Sequence, residues 1–364
     1  MKYNDKQYSV YNGKNLTIEI FGASHASEIG VKVRGLNGAK FNLEKLNEFL
    51  SRRSAKNTAY STKRLEKDQI VFESGYDKDQ IYGTLKAVIK NTEHKSSDYE
   101  NVVKIPRPSH ADYVGWSKYG DGFDYRGGGK FSGRLTAPMC IAGGIIKQLL
   151  EKKGIKINAY ISAISGINGK SYDDYDVENQ EFVFNDINFP LIDESVKSDM
   201  LAQIENARAN GDSVGGKIDC VVTGVPVGTG EYMFDSIESI ISHLAFSVPA
   251  VKGIEFGSGF KISEMKGSLA NDAFYYDVGK VKTKTNHNGG INGGIANGMP
   301  ITFRVAVKPT PSIAKEQDSI DMQNKTNVKL KIQGRHDACI VPRAVPVIEA
   351  ITAIAIYDIL GKGE

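Results

Sequence analysis

Apolar positions alternate with polar ones along several short stretches, the period-two pattern of a half-buried strand. Residues 15–21, 69–74, 81–90, 155–162, 217–225 and 302–307 read this way and are rich in β-branched side chains. Between them lie segments with helical spacing. Residues 43–53 put Leu43, Leu46, Phe49 and Leu50 on one face, and residues 134–153 turn Leu135, Met139, Ala142, Ile145, Ile146 and Leu149 inward before Gly154 stops them. Residues 194–209 end at Asn210-Gly211. Residues 235–246 open with Asp235 and Glu238 in the spacing of a capping box, and 346–360 place Pro346 in a first turn and Gly361 past the end. Strands and helices mix without a linker, a repeat or a low-complexity tract, which predicts one α+β domain over residues 1–364.

Composition narrows the classes. The 364 residues are 40% hydrophobic and 24% charged, ordinary for a globular protein. The 46 basic and 43 acidic residues leave a net charge of +3, too little for a dedicated nucleic-acid binder. Cys140, Cys220 and Cys339 are odd in number and far apart, so neither a disulfide framework nor a four-cysteine zinc site is expected. The first twenty residues lack a continuous apolar run. The most apolar stretch, 345–360, contains Glu349 and Asp358 and is shorter than the ~20 residues of a membrane span. A cytoplasmic protein, bound to neither membrane nor nucleic acid, is the expectation.

Glycine is the outlier. Its 38 copies gather at 120–133 (GDGFDYRGGGKFSG), 211–216 (GDSVGG), 253–259 (GIEFGSG) and 289–298 (GGINGGIANG). Such loops turn at positive φ, let backbone approach a ligand and can cradle anions. Flanked by Arg, Lys and His, the four clusters point to a large anionic ligand. Known motifs fail the test. Gly129-Lys130 is followed by Phe131, not the Ser or Thr of a P-loop, and Ile262 stands where a dinucleotide fingerprint needs its third glycine. Gly211-Asp212-Ser213-Val214-Gly215 fits GxSxG, yet a helix precedes it and a strand follows, the reverse of a nucleophile elbow. No HExxH or other metal-ligand spacing is present. A serine hydrolase using Ser213, and a protein binding RNA through its glycine-rich loops, stay as alternatives.

Titratable groups and tight turns coincide in Phe21-Gly22-Ala23-Ser24-His25, Arg107-Pro108-Ser109-His110-Ala111-Asp112-Tyr113 and Gly334-Arg335-His336-Asp337-Ala338-Cys339. With residues 124–134 (DYRGGGKFSGR), 250–253 (AVKG), 308–313 (KPTPSI) and 342–346 (PRAVP), this ordered set resembles the chorismate synthase family over almost the whole chain. The resemblance implies a β-α-β sandwich, usually a homotetramer, and a lyase of the shikimate pathway. Its reaction is the 1,4-anti elimination of phosphate from 5-enolpyruvylshikimate 3-phosphate, giving chorismate with the help of reduced FMN. Whether NADPH or an external flavin reductase supplies the electrons is left open.

Roles carry over by matched position. The resemblance makes His25 the acid for the departing phosphate, His110 a partner of the flavin ring and Asp337 an acceptor for the proton of flavin N5. It places Ser24, Arg53, Arg107, Ser132, Arg134 and Arg343 against the substrate. It places Lys130, Ser132, Ala250, Gly293, Lys308, Pro309, Thr310, Pro311, Ser312 and Arg335 against the flavin, with Arg53 assigned to either ligand, and it implies no metal. A substrate with two carboxylates and a phosphate of about −1.5 to −2 suits clustered arginine, whose fork grips such groups. The chain departs from the family pattern at Ala23, Ala26, Ala59, Lys130, Phe131 and Pro249. His243 is expected to be half-buried packing and Cys339 structural.

Overall fold

Two segments are apolar on nearly every face, and such helices belong inside a protein rather than on its surface. The computed structural model describes residues 8–55, 68–91, 104–174, 182–332 and 337–361, and there both segments form the central layer between two sheets. The strands are β1 (Tyr8–Asn12), β2 (Thr17–Gly22), β3 (Glu28–Arg34), β4 (Ile70–Asp77), β5 (Gln80–Lys90), β6 (Lys156–Ile164), β7 (Ile167–Asn168), β8 (Gly216–Thr223), β9 (Val251–Phe256), β10 (Phe274–Asp277), β11 (Lys280–Thr283), β12 (Ile291–Asn292), β13 (Ile295–Ala296), β14 (Ile301–Val307), β15 (Gln317–Asp321) and β16 (Thr326–Leu330). The helices are α1 (Leu43–Arg53), α2 (Asp112–Tyr119), α3 (Thr136–Lys152), α4 (Lys197–Ala209), α5 (Ile237–Ser247), α6 (Gly267–Ala270) and α7 (Val341–Leu360).

Among the described residues, one antiparallel sheet runs β1-β2-β3-β5-β4 and the other β7-β6-β8-β14-β9, with three two-stranded hairpins besides. Alternate residues of each sheet face inward: Ile29, Val31 and Val33 of β3 on one side, Ile218, Cys220 and Val222 of β8 on the other. α3 packs on β3 and β5, α7 on β6 and β8, and the two helices pack on each other, with α1 and α5 flanking α7. One continuous apolar cluster joins both sheets and the helical layer. This is the α+β sandwich that the resemblance implied.

Close approach sets the α3–α7 contact. A Cβ on Gly143 would fall 2.4 Å from the Ala350 Cα, backbone that cannot step aside. The charged residues of α7 act as clamps. Glu349, 2% exposed, takes a two-pronged hydrogen bond from Arg52 at 2.8 and 3.0 Å and an ion pair from Lys147 at 3.3 Å. Asp358 accepts the main-chain N–H groups of Lys14, Asn15 and Leu16 and the hydroxyl of Tyr11, pinning the β1–β2 turn to the end of the helix.

Several sequence-based boundaries shift. α7 begins at Val341, five residues before the expected start, because Pro342 occupies its first turn and Pro346 is carried inside it. α5 is capped by Ser236, whose Oγ accepts the Ser239 N–H at 3.1 Å, instead of by the Asp235–Glu238 box. β1, β3, β9 and the hairpins were not foreseen. His243 is exposed rather than half-buried, its ring 5.9 Å from that of Tyr11. All three cysteines are free and buried, and burial pushes the Cys339 thiol up to about 12. No described helix is long and apolar enough to cross a membrane.

Two outcomes follow from this packing. Gly143→Val is expected to lower stability by ~1–3 kcal/mol, read as a reduced urea midpoint, since the methyls have nowhere to go. Burial alone would raise the Glu349 carboxyl, but Arg52 and Lys147 hold it down at about 2 from an ordinary 4.5. Its contribution is therefore complete above about pH 5 and is lost as the pH falls toward the folded value. Urea midpoints measured across that window should fall more steeply for the native chain than for Glu349→Gln; parallel slopes would refute the clamp.

Candidate active site

The segments singled out in the sequence converge from both sheets and the helical layer on one cavity of about 530 Å³. Residues 24–25 follow β2, and Arg53 ends α1. Residues 107–111 lead into α2, and 127–136 form the turns that start α3. Ala250 begins the approach to β9, 308–312 leave β14, and 337–347 lead into α7.

A glycine turn is the wall that two histidines share. Ser24 N–H donates to the Gly129 carbonyl at 3.2 Å and Ser24 Oγ to the Arg126 carbonyl at 3.0 Å, tying the His25 segment to this turn. Gly127 and Gly128 have φ of 55° and 84°. A Cβ on Gly127 would lie 2.6 Å from Ser24 Oγ and 2.8 Å from His25 Nε2, and one on Gly128 would lie 3.3 Å from His110 Nε2. A side chain at Gly127 would displace the His25 imidazole and one at Gly128 would crowd that of His110, so the glycines answer to conformation and to contact. Non-glycine residues Ser109 (φ 57°) and Ala250 (φ 76°) also line the cavity in the left-handed region, strain of the kind found at functional sites.

Cations dominate the lining, and carboxylates hold them. Arg53 donates to Thr136 Oγ1 at 3.0 Å, the Gly133 carbonyl at 2.7 Å and Asp68 at 3.4 Å. Burial, with Arg343 and Arg134 repelling it, lowers its guanidinium to about 10, so it stays charged at neutrality. Arg134 pairs with the same Asp68. Burial would raise the Asp68 carboxyl, but the two arginines hold it below the carboxylate range. Arg343 pairs with Asp337 and donates from Nε to the Arg53 carbonyl at 3.0 Å. Lys308 Nζ donates to the Ser109 carbonyl at 2.7 Å, and Thr310 Oγ1 to the Asp337 carbonyl at 2.8 Å.

Fourteen of the sequence-derived candidates therefore line this cavity. They include His25, His110 and Asp337, with Ser24, Arg53, Arg107, Ser132, Arg134 and Arg343 of the substrate set. Ala250, Lys308, Thr310, Pro311 and Ser312 of the flavin set also line it. Three candidates do not. Lys130 lays its ammonium 4.1 Å above the Tyr119 ring. Gly293 sits at the tip of the β12–β13 hairpin, and Pro309 packs against Gly215. Arg335 and Ala59 lie outside the described residues. Phe131 and Pro249, departures from the family pattern, do line the cavity. Sequence reasoning missed Asp68, which follows no local motif, and gave no role to Asp112, two residues beyond His110.

The alternatives lose their footing. Ser213 stands between α4 and β8, and its hydroxyl donates to the Thr310 carbonyl at 2.7 Å instead of meeting a base. It locks the 308–312 turn. Nothing in the comparisons with known proteins favours RNA binding.

Those comparisons agree with one another. The family model described as chorismate synthase matches residues 16–360. The chorismate synthase of Korarchaeum cryptofilum is 42% identical, covering 95% of this chain and 96% of its own. That of Thermococcus gammatolerans is 43% identical over the same shares, and that of Dehalococcoides mccartyi strain 195 is 41% identical over 95% of each chain. A crystal structure of a chorismate synthase superposes with a TM-score of 0.74 at 23% identity, covering 96% of this chain and 92% of that one, which speaks for the fold. The chain belongs to the chorismate synthase family, and it is a lyase of aromatic amino acid biosynthesis that forms chorismate by eliminating phosphate, in a family that depends on reduced flavin.

Proposed function

We propose that the 530 Å³ cavity is where this elimination takes place, with 5-enolpyruvylshikimate 3-phosphate and reduced FMN as its two occupants. The observation that carries the reading is the charge of the described lining residues: Arg53, Arg107, Arg134, Lys308 and Arg343 against Asp337, with Asp68 and Asp112 behind them, leave an excess of positive charge. A polyanionic substrate and a flavin phosphate need such a surface, and arginine forks suit carboxylates and phosphates. The volume lies within the roughly 300–1,000 Å³ usual for ligand sites.

The residues present also fit a flavin. Phe131, Val248, Pro249, Ile340, Ala344 and Val347 form an apolar wall suited to a flat ring. The turn after β14 offers Lys308, Thr310 and Ser312 as a cation and two hydroxyls for a phosphate and a ribityl chain. When bound, reduced flavin supplies electron density to the substrate and takes up the hydrogen leaving its ring. His25 donates a proton to the departing phosphate, a task suited to a group whose unperturbed pKa is ~6.5 and whose charged form nearby anions favour. His110 lines the cavity as the partner of the flavin ring, its Nε2 beside the glycine turn. Asp337 presents a carboxylate oxygen as proton acceptor, oriented by Arg343. Arg134 and Arg343 orient the substrate carboxylates and phosphate.

The same reading makes the protein a cytoplasmic homotetramer whose electrons come from NADPH or from a separate flavin reductase. Anaerobic turnover with NADPH and oxidised FMN as sole electron source separates the two.

Purified protein given chemically reduced FMN and the enolpyruvyl substrate without oxygen should release phosphate and chorismate in equal amounts. Release of neither by folded protein would overturn the assignment of ligands. His25→Ala and His110→Ala should each lower kcat by ~10²–10⁴, the range of a lost general acid or base, with unchanged urea midpoints. Rates near normal would remove these two roles.

A further inference from the structure

A buried carboxylate stands directly behind His110. Asp112, the first residue of α2, is 2% exposed. One of its oxygens lies 2.7 Å from His110 Nδ1. Arg107 grips both oxygens, donating from Nη2 at 2.7 Å to the one that meets His110 and from Nε at 2.6 Å and its main-chain nitrogen at 3.1 Å to the other. Arg107 is itself 5% exposed, and its Nη1 donates to Ser312 Oγ at 3.1 Å. The turn that carries the flavin candidates and the turn that carries His110 thus share one network. Lys308 closes it from the other side through the Ser109 carbonyl.

The hydrogen-bond inventory then fixes a proton. Burial would raise the Asp112 carboxyl, but the Arg107 and His110 hydrogen bonds hold it well below the carboxylate range, so it is ionised. An ionised carboxylate only accepts. The hydrogen in the 2.7 Å contact must therefore sit on His110 Nδ1, which leaves Nε2 of the neutral ring with its lone pair. Nε2 is the atom that abuts Gly128, which has no side chain to press on it, and His110 lines the cavity.

We propose that Asp112, gripped by Arg107, is a positioning residue that fixes His110 as its Nδ1–H tautomer and so keeps Nε2 an acceptor toward the cavity. Without it the imidazole could rotate or carry its hydrogen on Nε2, presenting a donor where the reaction needs a proton carrier. Arg107 acts in this arrangement through Asp112, whatever it also contributes to ligand binding. The proposal rests on His110 serving the chorismate-forming site, but its first readout needs no turnover.

That readout is the ¹⁵N spectrum of histidine-labelled protein, recorded on the neutral imidazole with Asn substituted for the carboxylate. The native His110 should show a protonated Nδ1 and a bare Nε2. In Asp112→Asn, whose amide can donate as well as accept, the Nδ1–H signature should be lost. Turnover should fall by at least ~10-fold, at the low end of the 10–100-fold typical of lost supporting partners, with KM for the enolpyruvyl substrate changed less than kcat. Asp112→Glu, which keeps the charge, should restore part of both. A native His110 protonated at Nε2 would overturn the proposal even if Asp112→Asn fails to fold. So would an Asp112→Asn variant that retains the native tautomer. If the tautomer shifts as expected while the native protein makes no chorismate, the positioning stands and the ligand assignment falls.

Discussion

Four arginines cannot be brought to one cavity without something to hold them apart, and buried carboxylates do that here. Like charges repel strongly where water is excluded, and an unpaired buried guanidinium costs several kcal/mol. Asp68 stands between Arg53 and Arg134, Asp112 faces Arg107, and Asp337 faces Arg343. The helical layer uses the same device, with Glu349 gathering Arg52 and Lys147. Arg52 and Arg53 are successive residues at the end of α1, about 100° apart around the helix axis. One therefore reaches the scaffold clamp and the other the cavity. The end of α1 is where fold and site are joined.

A second constraint is distance. His25 follows a strand of the first sheet and His110 precedes α2, far apart along the chain. What unites them is the glycine turn, because Gly127 and Gly128 bring bare backbone against one imidazole each. Ser24 anchors this turn from one side with two hydrogen bonds to its carbonyls. The composition outlier thus has a local cause at these two positions, where conformation and contact both exclude a side chain.

Patterns that depend on local period were legible before any coordinates. The alternation in β6, β8 and β14 and the stripe on α1 placed those elements to within a few residues. β1 escaped because it is exposed almost throughout, with Tyr8 and Val10 facing out, whereas β3 carries a clean alternation that was legible and went unread. The start of α7 escaped because Pro346, read as a first-turn residue, is accommodated inside the helix. At the site, motif membership identified segments well and side-chain direction poorly. Lys130 and Ser132 belong to one motif, yet Ser132 lines the cavity and Lys130 turns away to Tyr119, because the turn reverses between them. Asp68 left no trace, since its partners are 15 and 66 residues away. Ser213 fails as a nucleophile for a topological reason, since the helix before it and the strand after it reverse the order that an elbow needs.

The pairing of arginines with carboxylates also bears on how the site meets its ligands. Among the described lining residues and their direct partners, Arg53, Arg107, Arg134 and Arg343 face Asp68, Asp112 and Asp337 while Lys308 rests on the Ser109 carbonyl, so the fixed charge is only modestly positive. A substrate and cofactor bearing several negative charges exceed it. Among the described lining residues, the imidazole of His25 is a group that can gain positive charge to meet them. Anions arriving beside an imidazole favour its protonated form. On the proposed assignment of ligands, their entry therefore favours the protonated His25 that donates to the departing phosphate, while Asp112 holds His110 in its own tautomer.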